Sequence, residues 1–464
     1  MKSMILAIVA GVVATTTQNC TAQGQTAAPN WREAEANTLT NHVQLTFSDR
    51  FVKAGESYFS PDDSKIIFQA VETPATGKEP DEFYAMYVAD VTRDAKTGAI
   101  TGLEHITRLS PKGSANTCGW FHPTDPNIVI FASTIGAPTH SQPPGYRGGS
   151  DKRYMWSFPK EMRIVQCDLR KANGTAASLT PLGGYGDAYQ AEGSLSPDAR
   201  HLLYCSVESN QGDLFILDLK TQRKTRLVQA HGYDGGPFFS PDGKRICYRS
   251  DRLGDNLLQL FVADLAFNEA GEVVGIKREY QLTDDAFVNW CPFWTPDGRR
   301  LVYSSSELGE SNFEIFMIDA DPGDLPGSSG TVKYGTAKRR LTHFEPNGTV
   351  AGSDVLPALS HDGQWMIWAS RRSDDGAVQL WAATMTLDPD ARWKADPARV
   401  ATPKKRTNEN QITITDPETE RVFIYDMQSH TLSEYQMDTH TLTEVTDATL
   451  MRHVMELYEL QQQQ

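Results

Sequence analysis

Acidic and amide side chains recur at matched positions in this chain, seven or five residues before six copies of a Pro-Asp-Gly-like turn. The seven-back set is polar at five of its six positions, and the five-back set contains two glutamates. The seven-back set is Ala54, Asn116, Gln190, Asp234, Asn289 and Asp354, and the five-back set is Glu56, Cys118, Glu192, Gly236, Cys291 and Leu356. Because hard divalent cations prefer several oxygen ligands, Glu56, Asp234 and Asp354 are candidate metal ligands.

The same pattern also suits a small-ligand site, or a hydrated surface on which polar side chains are simply tolerated. The candidate ligand-binding residues are Asn116, Gln190, Glu192, His231, Asp234, Asn289 and Asp354. His231 is the one histidine near this set, and an imidazole could act there as a base or a ligand, although a lone histidine is more often structural. No cofactor is required by the sequence, and a divalent cation remains an alternative.

Nucleophilic and zinc-dependent catalysis lack their usual motifs in this sequence. It contains neither a Gly-x-Ser-x-Gly elbow, nor His-Glu-x-x-His, nor a phosphate-binding glycine loop. The roughly 75 residues after the last repeat are too few for an α/β-hydrolase domain. The sequence therefore predicts a non-catalytic protein-binding or scaffold protein, with a metal-assisted lyase or hydrolase as the alternative.

The repeated turn is itself the strongest structural signal, because a period of tens of residues marks a repeat architecture. In each copy an apolar residue and then a Ser, Thr or His lead into the turn, and an apolar run follows it. The copies begin YFSPDD at Tyr58, WFHPTD at Trp120, SLSPDA at Ser194, FFSPDG at Phe238, FWTPDG at Phe293 and ALSHDG at Ala358. Pro and Gly set the backbone of such turns, and Ser and Asp bond to it.

One repeat contains four short strand patterns, which is the composition of a propeller blade. In the fourth repeat, Ser240 and Asp242 flank a hairpin between strands, and the repeat ends in Gln-Leu-Thr at 281–283. A similar Gln-Leu-Thr at 44–46 precedes the first turn, whereas the sixth repeat has no such ending. The sequence therefore predicts an all-β, six-bladed β-propeller of four-stranded antiparallel blades over residues 41–387. His42 to Phe47 is predicted to supply the outer strand of the sixth blade, which removes two open sheet edges.

These turns, strands such as Glu314–Asp319 and the Leu-Thr endings resemble the TolB-like β-propeller repeat family over roughly residues 41–386. The resemblance implies a periplasmic protein that binds envelope partners. The members that give the family its name carry an additional N-terminal α/β domain, for which the residues before the first strand of this chain are too few. His122 and His361 depart from the pattern of the turns.

The N-terminus has the charged, apolar and small-residue order of a secretory signal. Lys2 precedes an apolar stretch from Met4 to Ala14 that is too short to span a bilayer, and cleavage is predicted after Ala22. Cys20 could instead be the lipidated first residue of a lipoprotein. A secreted, periplasmic location is expected, with an envelope protein or a peptidoglycan-associated partner and no transmembrane segment.

The formal net charge of -15 disfavours nucleic acid as a partner, because a phosphate backbone is repelled by an acidic protein.

Two segments depart from the repeats. Gly136 to Phe158 is rich in Pro, Gly and aromatic residues, and is either a surface excursion of the second blade or a partner-binding loop. Residues 388–464 are predicted to be a linker followed by short strands and a final amphipathic helix. Cys205 and Cys247 lie on equivalent strands and could form a disulfide.

Overall fold

Six four-stranded antiparallel sheets follow one another around a closed ring in the computed structural model of this chain. The structure describes residues 30–139, 159–183, 188–209, 212–230, 232–252, 257–309, 312–320, 335, 337–344, 353–386, 411–415, 421–426, 431–436, 441–447 and 449–455. The first strand of each sheet contacts the first strands of both neighbouring sheets, so that six innermost strands surround a central channel. The predicted six-bladed propeller is confirmed.

The first three blades are continuous in sequence. Blade 1 contains β2 (Phe51–Phe59), β3 (Lys65–Glu72), β4 (Ala85–Arg93) and β5 (Ile100–Arg108). Blade 2 contains β6 (Asn116–Phe121), β7 (Ile128–Ser133), β8 (Arg163–Asp168) and β9 (Leu179–Pro181), with a 3₁₀ turn at Ala176–Ser178. Blade 3 contains β10 (Gln190–Leu195), β11 (His201–Ser206), β12 (Asp213–Asp218) and β13 (Lys224–Val228).

The remaining blades follow the same order, but the sixth borrows its outer strand. Blade 4 contains β14 (Asp234–Phe239), β15 (Arg245–Ser250), β16 (Gln259–Phe267) and β17 (Val273–Gln281). Blade 5 contains β18 (Asn289–Trp294), β19 (Arg300–Ser305), β20 (Glu314–Asp319) and β21 (Arg339–Arg340). Blade 6 contains β22 (Asp354–Leu359), β23 (Trp365–Ser370) and β24 (Gln379–Met385), and the N-terminal β1 (Leu39–Gln44) pairs antiparallel with β24.

The N-terminal strand thus closes the ring as predicted, although it begins three residues earlier than His42. In blades 4, 5 and 6 the Leu-Thr signature follows the outer strand instead of belonging to it, whereas in blade 2 it lies within β9. The Thr46 hydroxyl accepts a hydrogen bond from the backbone N–H of Leu380 at 2.9 Å, and Thr283 accepts one from Leu260 at the same distance. In these blades the signature therefore caps the end of the outer strand by binding the neighbouring strand.

A short helix before β1 anchors this closure. Helix α1 (Trp31–Glu35) begins at Asn30, whose side chain accepts a hydrogen bond from Arg32 N. The fully buried Glu35 carboxylate contacts His42 Nε2 at 2.7 Å, and both of its oxygens accept from Arg372 of blade 6 at 3.1 Å. The helix is thereby bound to the last blade through a buried ion pair.

The Glu35 contacts make the closure sensitive to acid. Burial alone would raise the pKa of Glu35, but the His42 hydrogen bond and the Arg372 charge outweigh it and lower the pKa to about 2. A lowered carboxyl pKa stabilises the fold above the ordinary value near 4.5, and this stabilisation is lost as the pH falls toward 2. Urea unfolding at several pH values measures this effect. The free energy of unfolding of wild type should exceed that of Glu35→Gln most above pH 4.5, and the difference should shrink toward pH 2. Glu33→Gln, an exposed change in the same helix, should show no such trend; a constant Glu35→Gln difference would contradict the assignment.

The repeated turns have the bonding expected from the sequence. The Ser240 hydroxyl donates to Asp242 at 2.6 Å and accepts from Arg245 N at 3.0 Å. Two departures from the pattern meet where the ring closes. His361 stands in the proline position and retains a backbone N–H, which donates to the Asp63 carboxylate of blade 1 at 2.8 Å. Asp63 occupies the glycine position of its own turn with φ 55°, and it also accepts from Asp362 N.

Restoring proline at this turn should therefore cost stability. His361→Pro removes a donor to a charged acceptor, and we expect a loss of about 1.5–3 kcal/mol in the free energy of unfolding. Asp63→Gly removes the acceptor, so the double variant should lose about 1–3 kcal/mol less than the sum of the two single losses. Urea denaturation of the four proteins measures this coupling. Strictly additive losses would show that the two turns do not interact.

The C-terminal region forms a separate four-stranded antiparallel sheet. Its strands are β25 (Gln411–Thr415), β26 (Val422–Asp426), β27 (Thr431–Gln436) and β28 (Thr441–Glu444), and residues 449–455 form a helix. Phe423, Leu432, Val445 and Val454 make a small apolar core between sheet and helix. Among the described residues, no helix is long and apolar enough to cross a membrane. The predicted signal segment, Cys20 and most of the loop 136–158 lie outside the described residues.

Candidate functional site

A bulge recurs in the innermost strand of every blade and sets the geometry of the channel. In all six blades the pairing register between the first two strands shifts at the five-back position. All six residues there have positive φ, between 35° and 60°, although only one is glycine: Glu56, Cys118, Glu192, Gly236, Cys291 and Leu356. Non-glycine residues in this conformation store strain, which is concentrated at functional sites. Bulges also redirect side chains.

The six bulge residues line a central cavity of about 490 Å³ that opens at one end of the channel. This volume lies within the range of ordinary ligand sites, which is about 300–1,000 Å³. The other lining residues include Lys53, Tyr58, Tyr84, Asn116, Thr117, Tyr189, Phe238, Arg249, Trp290 and Arg371. The cavity therefore combines aromatic faces with a few charged groups.

Four aromatic rings from the first position of the repeated phrase form a cluster next to this cavity, which Tyr58 and Phe238 line. Tyr58, Trp120, Phe238 and Phe293 contact one another with centroid distances of 5.2–6.2 Å. Beyond these rings, Trp120, Phe238 and Phe293 line a second, apolar cavity of about 310 Å³ among the Pro-Asp-Gly turns. The rings lie between the two cavities and separate them.

Blade 4 supplies a cation in place of a bulge side chain. A Cβ on Gly236 would lie 1.9 Å from Nη1 of Arg249, so the guanidinium occupies the space that a side chain would need. Arg249 Nη2 donates to Glu192 at 2.5 Å, and Gly236 N donates to the other Glu192 oxygen at 2.6 Å. Both side chains are at least nine-tenths buried. The bulge ring thus contains one complete charge-assisted pair.

The second carboxyl group of the ring differs from the first. Tyr58 donates to one Glu56 oxygen at 3.1 Å and Thr117 donates to the other at 3.3 Å. Burial raises the pKa of Glu56, and the nearby Glu192 charge raises it further. With its pKa raised, Glu56 can present a neutral carboxyl group to a ligand.

The two cavity thiols are poor nucleophiles. Burial raises the pKa of Cys118 and of Cys291 well above the ordinary thiol value, and nearby Glu56 raises both further. Since the thiolate is the reactive form, both thiols remain protonated near neutral pH. Cys205 and Cys247 are also free thiols, so the disulfide considered between them is not present in the structure.

The seven-back residues mostly lie away from the cavity. Of this set only Asn116 lines it, and its amide donates to Tyr84 O at 2.9 Å. The other five are buried in the blades: Ala54, Gln190, Asp234, Asn289 and Asp354. Asp234 lies 3.6 Å from Arg252 and Asp354 accepts from Trp368 Nε1 at 3.0 Å. The intervening bulge directs the five-back residue into the channel, so the two sets do not share one surface as the sequence had suggested.

The predicted metal ligands are likewise separated. Glu56 faces the cavity, whereas Asp234 and Asp354 bind arginines within their blades. Burial raises the pKa of Asp234 to about 7. In the part of the chain that the structure describes, no three His, Cys, Asp or Glu side chains are grouped to hold a metal ion. His231 lies outside the described residues. Of the candidate ligand-binding residues, the structure brings Asn116 and Glu192 to the cavity.

Sequence reasoning missed the basic residues of the cavity. The residue opposite the bulge on the second strand is Gln69, Ala132, Cys205, Arg249, Ser304 or Ala369 in the six blades. Arg249 is the one charged residue among them, and it faces the one blade whose bulge residue is glycine. That coincidence of an arginine with a Gly-Gly pair was a usable signal.

Comparison with known proteins agrees with the repeat pattern. Residues 191–350 match the family described as TolB beta propeller domain. The Tol-Pal system protein TolB of Wolinella succinogenes is 23% identical over 188 residues, covering 40% of this chain and 37% of that protein. Dipeptidyl-peptidase 5 of Porphyromonas gingivalis is 29% identical over 157 residues, covering 31% of this chain and 21% of that protein. An uncharacterized protein of Agrobacterium fabrum is 28% identical over 149 residues, covering 30% and 47%.

These curated relatives are matched over less than half of their own length and carry names of different activities, so the shared fold does not assign a function. Among solved structures, TolB from Acinetobacter baumannii has a TM-score of 0.42 at 18% identity, covering 69% of this chain and 64% of that chain. An oligogalacturonate lyase in complex with manganese has a TM-score of 0.39 at 15% identity, covering 78% and 96%. This chain therefore contains a six-bladed β-propeller of which residues 191–350 match the TolB beta propeller domain.

Proposed function

We propose that this chain is a non-catalytic binding protein of the cell envelope, and that its central cavity receives a segment of a protein partner. One observation carries the proposal: five non-glycine bulge residues in a strained conformation direct their side chains into a cavity that Tyr58 and Phe238 bound with aromatic rings. Strain of this kind persists where the surrounding fold holds it for a purpose.

The cavity chemistry favours binding over covalent catalysis. Glu192 is held by Arg249 and Gly236, Glu56 is held by Tyr58 and Thr117, and the thiols are protonated. Groups held in this way orient a ligand through hydrogen bonds and aromatic contacts. The alternative of a metal-assisted lyase or hydrolase has less support, because the acids proposed for it are not grouped in the described residues.

The envelope setting has two supports. The N-terminal sequence has the order of a secretory signal, and one relative is named a Tol-Pal system protein. We therefore propose a secreted, periplasmic protein whose partner is an envelope protein or a peptidoglycan-associated protein. Attachment through a lipidated Cys20 is an alternative way to reach the same compartment.

A cavity-filling variant tests the proposal. Leu356 lines the cavity and already has positive φ, so Leu356→Trp fills the space without a new backbone requirement. Val274→Trp, on the exposed outer strand of blade 4, adds the same side chain elsewhere. Immobilised wild-type and Val274→Trp proteins should retain the same protein from an envelope extract, and Leu356→Trp should lose it. Equal retention by Leu356→Trp, with an unchanged melting temperature, would contradict a role for the cavity; no retention by wild type would contradict binding.

A further inference from the structure

Two basic side chains flank one tyrosine at the rim of the central cavity. Lys53 Nζ lies 4.4 Å from the centroid of the Tyr84 ring. Burial raises the pKa of Tyr84 to about 12, and the nearby Arg371 charge partly offsets this rise. All three residues line the cavity, with Lys53 and Tyr84 half-buried and Arg371 exposed. They form a basic rim around an aromatic face.

These two cations lack acidic partners of the kind that Arg249 and Arg372 have. Within the described residues, neither Lys53 nor Arg371 has a carboxylate oxygen within 4.0 Å; the Arg371 guanidinium donates to the carbonyl oxygen of Gly376, at 3.5 Å. By contrast, Arg249 and Arg372 bind carboxylates directly. Burial lowers the pKa of Lys53, and no neighbouring carboxylate offsets that effect.

The rim therefore reverses the sign of the protein's charge at the entrance of its cavity. The chain carries 59 acidic and 44 basic residues, a net charge of -15. Deeper in the cavity Glu192 is neutralised by Arg249, and Glu56 has a raised pKa. Positive charge at an entrance with low-dielectric walls attracts anions and raises their local concentration.

We infer that the segment entering the cavity is acidic, with a carboxylate bound between Lys53 and Arg371 and an uncharged polar group facing Glu56. This inference rests on the proposed function, whose ligand class it names. Charge-assisted hydrogen bonds from lysine and arginine to a carboxylate are about twice as strong as neutral ones. A bound carboxylate also supplies the counter-ion that the half-buried Lys53 lacks. An acidic peptide fits these requirements, since it carries both the carboxylate and neutral amide groups.

Selection from a phage-displayed library of random heptapeptides tests the inference. Peptides enriched on the full wild-type chain should be rich in Asp and Glu. Their affinity, measured by isothermal titration calorimetry, should fall about tenfold or more with Lys53→Met or Arg371→Met, which corresponds to about 1.4 kcal/mol. Lys244→Met, an exposed change in the turn of blade 4, should leave it unchanged. Leu356→Trp should abolish binding.

The outcomes separate the inference from the function beneath it. The selected peptides could be neutral or basic, lose affinity for Leu356→Trp and bind Lys53→Met as tightly as wild type. That result would overturn the inference but leave the proposed binding function in place. Peptides that bind Leu356→Trp as well as wild type, or no enriched peptide at all, would overturn both. N-acetylglutamate binding as tightly as the selected peptides would assign the rim to a free organic acid and overturn the peptide assignment.

Discussion

Replacing Arg372 by methionine is expected to lower the free energy of unfolding by about 3–5 kcal/mol, the usual cost of leaving buried charges without their partner. The Arg372 side chain is fully buried and donates to Glu35 at 3.1 Å and to Asp354 at 2.5 Å. Its guanidinium also lies 4.2 Å from the Trp31 ring centroid. Methionine retains much of the apolar volume, so the expected loss comes mainly from the two stranded carboxylates.

The neighbouring residue provides a matched control for this change. Arg371 is exposed and is not in an ion pair within the described part of the chain, so Arg371→Met should alter stability by less than about 0.5 kcal/mol. Urea unfolding followed by tryptophan fluorescence measures both. If Arg372→Met were as mild as Arg371→Met, the buried cluster would contribute little to closing the ring.

The cluster shows how this propeller holds its ends together. Glu35 and β1 come from the N-terminal segment, whereas Arg372 and Asp354 come from blade 6. The segment after blade 5 contributes His343, whose backbone N–H donates to Glu35 at 2.7 Å. On the opposite face, Asp63 joins the turns of blades 1 and 6. Closure therefore rests on strand pairing, a buried ion cluster and a turn contact, each at a different radius or face of the ring.

The fold was predictable because its signal is local and repeated. Each hairpin depends on its own Ser, Pro, Asp and Gly, and six copies define six blades. The closing strand was placed three residues late because the Leu-Thr signature was assigned to the strand itself. Its threonine instead bonds across to the next strand, as Thr342 does in accepting from Ile315 N at 2.8 Å. This hydrogen bond requires a backbone N–H on a different strand, and the repeated phrase alone does not identify that strand.

The site was only partly predictable for a related reason. Glu56 and Glu192 were found by counting from the turns, because the bulge keeps a fixed distance from them. Asp234 and Asp354 were placed with them because both sets of positions begin the innermost strands, but the bulge breaks the alternation of side chains between the two sets. Lys53, Tyr84 and Arg371 reach the cavity from three different segments. Their convergence follows from the ring closing, not from any local spacing.

Gly236, the one glycine among the six bulge residues, is the second position at which a substitution should strongly lower stability. Gly236→Ala should lower the free energy of unfolding by about 3–5 kcal/mol, because its Cβ would lie 1.9 Å from Arg249 Nη1 and 2.9 Å from Cζ. The guanidinium must then move away from Glu192, which leaves that carboxylate buried without its charged partner. A positive φ of 58° at this position adds the ordinary strain of alanine in a left-handed conformation, about 1–2 kcal/mol.

Gly98→Ala separates the strain from the collision. Gly98 has φ +71° and no heavy atom within 4 Å of an added Cβ, so its alanine variant should lose only the conformational part, about 1–2 kcal/mol. Urea unfolding of both variants gives the difference that belongs to Arg249. Equal losses in the free energy of unfolding would mean that the Arg249 guanidinium can move without destabilising the fold. The Glu192–Arg249 pair would then not stabilise the shape of the cavity. Because a displaced Arg249 must also reorganise the bulge ring, the same variant should bind the selected peptides more weakly, whereas Gly98→Ala should bind them as wild type does.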